Sequence, residues 1–402
     1  MTHARTLGPY FVAFLSADVG IQIQSVAFAW HIFTLHHRPF DLGLVGLTLF
    51  LPAVLLVLVT GLFADRHDRK TIVVCSGAAE MAATLAFLAL VIGHAERLWM
   101  YLATLFVIGT ARAFAAPAER GLLIALVPER DFMRVSAAYS AVRGSVSISG
   151  PALGGALVAL GTSTALGSSA ALLAASIGAF IALQMPPRPA RTSDTPSIRL
   201  DALGGLRFIR DQQVILAAIS LDLFAVLFGG ATALLPAYAD TILHVGPLGL
   251  GILRSAPAAG AALTAACLAR RPLRSNVGRT LLIAVAVFGL GTIVFGFARN
   301  IGVSIAALTI VGAADMVSVV VRRGLVQLGT PDAMRGRVLA VENMFIGASN
   351  ELGEFESGTL AAFIGIVPAT VAGGAATLAV VALCSLVFPA LRRLDRFAGA
   401  AG

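Results

Sequence analysis

Long apolar runs separated by short polar stretches dominate this chain. A membrane-spanning helix needs roughly 20 consecutive apolar residues, and the sequence divides into about twelve such segments. Their predicted limits are 10–35, 42–64, 71–93, 98–118, 134–160 and 165–185, then 213–239, 247–268, 280–298, 302–321, 336–365 and 367–390. The one extended polar stretch, Pro186 to about Gln212, has a Pro, Ser, Thr and Arg content that cannot bury a core. Within it, Leu200 to Arg210 predicts a short amphipathic helix at the membrane surface, Arg207 and Arg210 towards the headgroups. The expected organisation is a six-helix bundle over 1–185, a cytoplasmic linker over 186–212 and a second six-helix bundle over 213–402.

The second half repeats the first at an offset of about two hundred residues. Arg120-Gly121-Leu122 falls on Arg323-Gly324-Leu325, Pro128 on Pro331 and Arg134-Val135 on Arg337-Val338. Gly144, Gly150 and Gly155 fall on Gly347, Gly353 and Gly358, and Ser16-x-Asp18 falls on Ser220-x-Asp222. Matches of Gly or Leu are cheap in so apolar a chain, but Arg, Pro and Asp in order are not. The fold class expected is an all-α membrane protein with twelve transmembrane helices in two pseudo-symmetric bundles. In repeat-built transporters a substrate site lies between the repeats.

Composition agrees. The chain is 58% hydrophobic and 12% charged, with a mean hydropathy of +0.89, whereas soluble domains carry about 25% charged residues. The net charge of +8 would suit a polyanion partner, but most of the 29 Lys and Arg lie in alternate loops, the N-terminal stub and the C-terminal tail. Only Arg38, Arg97 and Arg299 fall in the opposite loops. That asymmetry puts both termini in the cytoplasm and explains the charge without nucleic acid. Cys75, Cys267 and Cys384 are far apart and form no metal-ligand spacing. His36-His37 reads as a solvated pair in a short loop. The first apolar stretch reads as a span and not as a cleavable signal. There is no phosphate-binding loop and no nucleophile–base constellation, so neither direct ATP coupling nor an enzyme is expected. No cofactor or metal is implied.

Two motifs carry mechanism. Gly61-Leu-Phe-Ala-Asp65-Arg66-His-Asp-Arg69-Lys70, between spans two and three, resembles the signature loop of the major facilitator superfamily. There Gly61 permits close helix approach, Asp65 meets a helix N-terminus, and Arg69 and Lys70 anchor the loop. That family usually has glycine where Asp68 stands, and the corresponding loop of half two, Ala269 to Arg279, has lost the Asp. Gly144-Ser-Val-Ser-Ile-Ser-Gly150-Pro151-Ala-Leu-Gly154-Gly155 in span five resembles the superfamily's antiporter motif. Its glycines allow close helix approach, and Pro151 permits a bend. Gln22-Ile23-Gln24, Ala29-Trp30, Leu42-Gly43-Leu44-Val45-Gly46, Leu51-Pro52, Arg335-Gly336-Arg337-Val338 and the run from Phe345 to Gly353 extend the resemblance over nearly the whole chain. They follow the branch that includes macrolide-efflux proteins and the enterobactin exporter. The resemblance implies an inner-membrane exporter of a small organic molecule, working by alternating access at the expense of a proton gradient.

Ionisable residues within spans are the sharpest functional lead, since a charge at mid-membrane costs roughly 2.5–3.5 kcal/mol on insertion scales. Asp18 and Asp222 hold equivalent positions in the first helix of each half, and Gln22 and Ser25 continue a polar stripe from Asp18. In span eleven, Asn343, Gly347, Asn350 and Glu354 share one helical face with Glu351 at its edge, while Glu342 and Glu356 point elsewhere. Arg112 and Arg143 are candidate partners for Glu354. Buried unpaired carboxylates have raised pKa values, as proton exchange near neutral pH requires. Asp18, Asp222 and Glu354 are therefore the candidate proton carriers, and structural pairing is the alternative role for each. Glu119-Arg120 and Arg322-Arg323 are expected at the cytoplasmic ends of spans four and ten, in gating or helix-end contacts. Asp315 stands where Arg112 stands in half one. Trp30, His31 and Phe33 are expected near the membrane interface. The expected partners are a small-molecule substrate, protons and the lipid bilayer. An importer or uniporter would have the same fold, and a non-transporting receptor or assembly factor is the rival of another class. The sequence leaves substrate and oligomeric state open.

Overall fold

A bilayer offers no water to backbone N–H and C=O groups, so apolar runs must satisfy them internally, as helices do. In the computed structural model the described residues are 2–127, 129–184, 198–273 and 275–397, the side chains at 2–7, 57, 58, 65, 120, 124, 129 and 198–203 excepted. Among these the chain is helical, with no strand. The first half contains α1 (Thr2–His36), α2 (Pro39–Arg66), α3 (Arg69–Ile92), α4 (Leu98–Leu126), α5 (Glu129–Ala159) and α6 (Thr162–Ala182). After α7 (Ile198–Asp211) come α8 (Gln213–Phe228), a short α9 (Leu235–Ala237), α10 (Gly246–Arg270), α11 (Val277–Phe297), α12 (Ile301–Gly329), α13 (Asp332–Ile364), α14 (Ile366–Val387) and α15 (Pro389–Arg392).

Among the described residues, ten helical segments are long and apolar enough to cross a membrane. The fifth and eleventh expected spans, α5 and α13, have the length at 31 and 33 residues but are more polar. Both carry the charged and small residues on which the functional expectations rest.

The chain divides into two compact units, Met1–Ala190 with Ala239–Ser255, and Arg191–Tyr238 with Ala256–Gly402. The expected boundaries put 239–255 wholly in the second bundle. In the first unit, the start of α10 crosses α5 backbone to backbone. A Cβ at Gly155 would lie 2.5 Å from the Pro247 carbonyl oxygen, and one at Gly251 would lie 2.5 Å from that of Pro151. Arg254 Nη1 also donates to Ser25 Oγ of α1 at 3.3 Å. Gly150 and Gly154 pack against Gln22 and Ile23 of α1. Gly144 packs against nothing within 4 Å, so it takes no part in the close approach expected of it.

Within each unit the same helix neighbours recur. α1 packs on α5 and α6 as α8 packs on α13 and α14, and α3 packs on α4 and α6 as α11 packs on α12 and α14. The repeat-equivalent glycines Gly109 and Gly312 each lie against a backbone carbonyl of their unit's second span, at Leu49 and Pro257. The linker helix α7 sets its buried Gly205 and Ile209 against the second unit, Ile209 clustering with Val338 and Val341 of α13. Arg207 and Arg210 stay exposed. The rest of the expected linker, 186–197, lies outside the described residues.

Overpacking a close crossing typically costs about 1–3 kcal/mol. Gly251→Leu should therefore lower the melting temperature of the detergent-solubilised protein by several degrees. Gly144→Ala should leave it unchanged.

Candidate functional site

The seventh span is broken. α8 stops at Phe228, and Gly229 closes it by donating to Ala225 O at 2.8 Å. A 3-10 turn (Ala231–Leu234), α9 with Pro236 and a π turn (Tyr238–Ile242) follow. A Cβ on Gly230 would lie 2.7 Å from Gly353 O of α13, and one on Gly353 would lie 2.8 Å from Leu227 O. Two glycines thus let the broken end of α8 lie directly on α13. Irregular backbone at membrane depth is tolerated where it lines a cavity, and here it does. A cavity of about 170 Å³ within the second unit is lined by Gly229–Thr232 together with Asp315, Asn350 and Glu354. A small hollow of about 10 Å³ adjoins it at Asp315 and is lined by Asp222 and Ser318.

Beside that hollow Arg322 serves two carboxylates. Its Nη1 lies 3.0 Å from Asp222 Oδ2 and 3.4 Å from Glu342 Oε1. All three side chains are at most 6% exposed. Arg322 was expected at a helix end, but α12 runs on to Gly329. The arginine is therefore about two turns inside the helix, where it holds α8, α12 and α13 together. Glu342 does point away from the Asn350–Glu354 face, as the helical period required.

The first unit carries a different buried network. Glu80 Oε1 of α3 accepts Gln24 Nε2 at 2.6 Å and Arg112 Nε and Nη2 at 2.9 and 2.8 Å. Thr84 Oγ1 donates to Gln24 Oε1 at 2.9 Å. Arg112 therefore has a carboxylate partner in its own unit. Asp18 Oδ2 is buried and has no hydrogen-bond partner among the described residues. Arg143 acts on it electrostatically, and Tyr139 interacts with Asp18, Glu119 and Arg143. By the repeat, Tyr139 and Glu119 stand where Glu342 and Arg322 stand in the second unit.

The loop after α2 is fastened by its basic pair. Arg69 Nη1 donates to Gly121 O of α4 at 2.8 Å, and Lys70 Nζ donates to Ile181 O and Leu183 O at the end of α6, both at 2.8 Å. Asp68, the departure from the family pattern, caps α3 by accepting Thr71 N at 2.8 Å. Arg66 is exposed. A Cβ at Gly61 would meet nothing within 4 Å among the described residues, so no close approach is made there to them. The side chains of Asp65 and Arg120 lie outside the described ones. In the second half, where the loop has no Asp, the C-terminal tail substitutes: Asp395 Oδ1 accepts Asn276 N at 2.9 Å, and Asp395 O accepts Val277 N at 3.1 Å.

Of the other expected residues, Asn343 is exposed and not in the cavity wall, and Glu351 is partly buried. His31 Nε2 lies 3.2 Å from Tyr101 Oη, and Phe33 is fully buried, so both pack inside the unit. His36 and His37 lie 3.2 and 3.3 Å from Asp41 and Asp240. Sequence reasoning missed Glu80, a lone carboxylate in an apolar span and so a signal in itself. It also missed the Gly229-Gly230…Pro236 interruption, which points to transporter sites, and left Asp315 unassigned.

Repeated helical bundles with charged groups buried in each and a broken span lining a cavity define a multi-pass membrane transporter. The transmembrane secretion effector family matches residues 5–399, and the chain belongs to that family, within the major facilitator superfamily. It is 27% identical over 402 residues to the multidrug efflux pump Tap of Mycobacterium tuberculosis, covering 96% of this chain and 95% of that one. It is 25% identical over 400 residues to the enterobactin exporter EntS of Escherichia coli, covering 98% and 94%. Among solved structures, the nucleoside transporter NupG shares the fold, with a TM-score of 0.73 at 15% identity over 96% of this chain and 99% of that one. These are transporters, not enzymes.

Removing one member of a buried ion cluster costs about 3–5 kcal/mol, because it leaves charge uncompensated. Arg322→Met should therefore lower the melting temperature sharply. Combining it with Asp222→Leu and Glu342→Leu should restore most of the loss.

Proposed function

We propose that the chain is an inner-membrane exporter with both termini in the cytoplasm, moving a small organic molecule outward in exchange for protons by alternating access. The observation that carries this reading is the contrast between the repeat-related Asp18 and Asp222. Asp222 is held by Arg322 at 3.0 Å. Asp18 keeps a buried oxygen without a hydrogen-bond donor among the described residues. A group that exchanges protons must be able to change charge without breaking the scaffold. An ion-paired Asp222 is tied to the scaffold, whereas Asp18 is free to gain and lose its proton as the environment of α1 changes. The outward direction is supported by the relatives, one named an efflux pump and the other an exporter.

The test is a substrate-triggered pH change in proteoliposomes, screened with siderophores, macrolides and cationic dyes. Asp18→Asn should cut coupled proton movement at least tenfold while substrate still binds. Full proton-coupled flux in a normally folded Asp18→Asn protein would sink the assignment of Asp18. Uptake in everted vesicles, but not in right-side-out ones, is expected of an exporter; the opposite pattern would make the protein an importer.

A further inference from the structure

We propose that the cavity of the second unit binds the ammonium end of a small organic amine. Two carboxylates, Asp315 and Glu354, line it together with the Asn350 amide, and among the described residues no Lys or Arg does. The backbone points the same way. Three of the N–H groups at the break are already used: Gly229 donates to Ala225 O, Ala231 to Gly229 O and Ala233 to Gly230 O. An anion would find no backbone donor at those three residues. The cavity also lies at the carboxyl end of the 16-residue α8, the negative pole of the helix dipole.

Two polar groups at the join of the cavity and the hollow lack close hydrogen-bond partners among the described residues. Asp315 forms no hydrogen bond or ion pair among the described residues; the charges acting on it are Asp222 and Arg322. Arg322 is already shared by Asp222 and Glu342. Arg323 acts on Asp222 and Glu342 but is not among the charges acting on Asp315, and Glu354 stands further along the cavity wall. Ser318 is 3% exposed, and its Oγ, at the hollow below Asp315, has only a loose interaction with Asp222. The hollow, about 10 Å³, holds roughly one water, through which a bound ammonium can reach Ser318. The rest of the wall separates an organic amine from a bare metal ion. Val226, Pro257, Phe288, Leu308 and Val311 present apolar surface. The volume of about 170 Å³ slightly exceeds that of an engineered cavity of about 150 Å³ that holds benzene. The occupant is therefore an apolar body about the size of one aromatic ring, with one positive end.

The inference rests on the exporter reading for its physiological meaning, but equilibrium binding without any gradient tests it separately. The probes are benzylamine, benzyl alcohol and benzoate, alike in shape and different in charge, measured by equilibrium dialysis against the full chain in a neutral detergent. Benzylamine should bind at least tenfold more tightly than either of the others. Asp315→Asn and Glu354→Gln should each reduce that preference at least fivefold, and Asp332→Asn, an exposed acid, should not. Leu308→Phe, which fills the cavity and keeps both carboxylates, should weaken benzylamine binding at least tenfold. It carries the test even if Asp315→Asn fails to fold. Equal binding of the three probes, or a preference that survives both Glu354→Gln and Leu308→Phe, would overturn the proposal whatever the transport assays show. Selective amine binding in a protein that moves no proton would uphold this site and overturn the exporter reading alone.

Discussion

A polar group inside a bilayer has to find its partner within the protein, and the positions of this chain's polar groups follow from that requirement. Glu80 is tolerable in α3 because Gln24 and Arg112 reach its carboxylate. Arg322 is tolerable in α12 because two carboxylates surround it. Each cluster ties together helices distant in sequence, so the charges that are costly to insert also fix which helices are neighbours. Where the requirement is not met among the described residues, at Asp18 and Asp315, function is the natural place to look.

The two halves share a scaffold and differ in the charges mounted on it. Glycines at equivalent places, Gly109 and Gly312, allow the same crossing in each. Gly161 and Gly365, both at positive φ, make the same turn between the last two spans. The polar positions diverge at equivalent sites: Arg112 against Asp315, and Glu119 against Arg322. The first unit places its buried carboxylate on α3, and the second has no carboxylate at the corresponding place but an acidic cavity beside α8. A repeat whose packing is kept while its charges are exchanged can treat the two halves of one transport cycle differently.

The spans and the repeat were legible in the sequence because they depend on local apolarity and on order along the chain. The buried pairs were not, since Gln24 and Glu80 are 56 positions apart and nothing local announces which carboxylate an arginine will meet. Arg322-Arg323 looked like the end of a span because two adjacent charges usually close an apolar run. The helix continues past them since Arg322 is neutralised from two sides. Gly155 was legible as a packing glycine, but its partner Gly251 lies on another helix and had no signal of its own. Gly61 and Gly144 show the converse, glycines of a recognised motif where a Cβ would meet nothing among the described residues.

The C-terminal tail carries one further consequence. The backbone N–H groups that open α11 are satisfied by Asp395 and Leu394, and a Cβ at Gly278 would strike the Leu391 carbonyl. The third helix of the first half is capped by a residue beside it, Asp68. That helix can therefore be capped as soon as it is made, while the ribosome is still at work on the next segment. The corresponding helix of the other half waits for Asp395, 119 positions beyond Asn276, before its first turn is sealed.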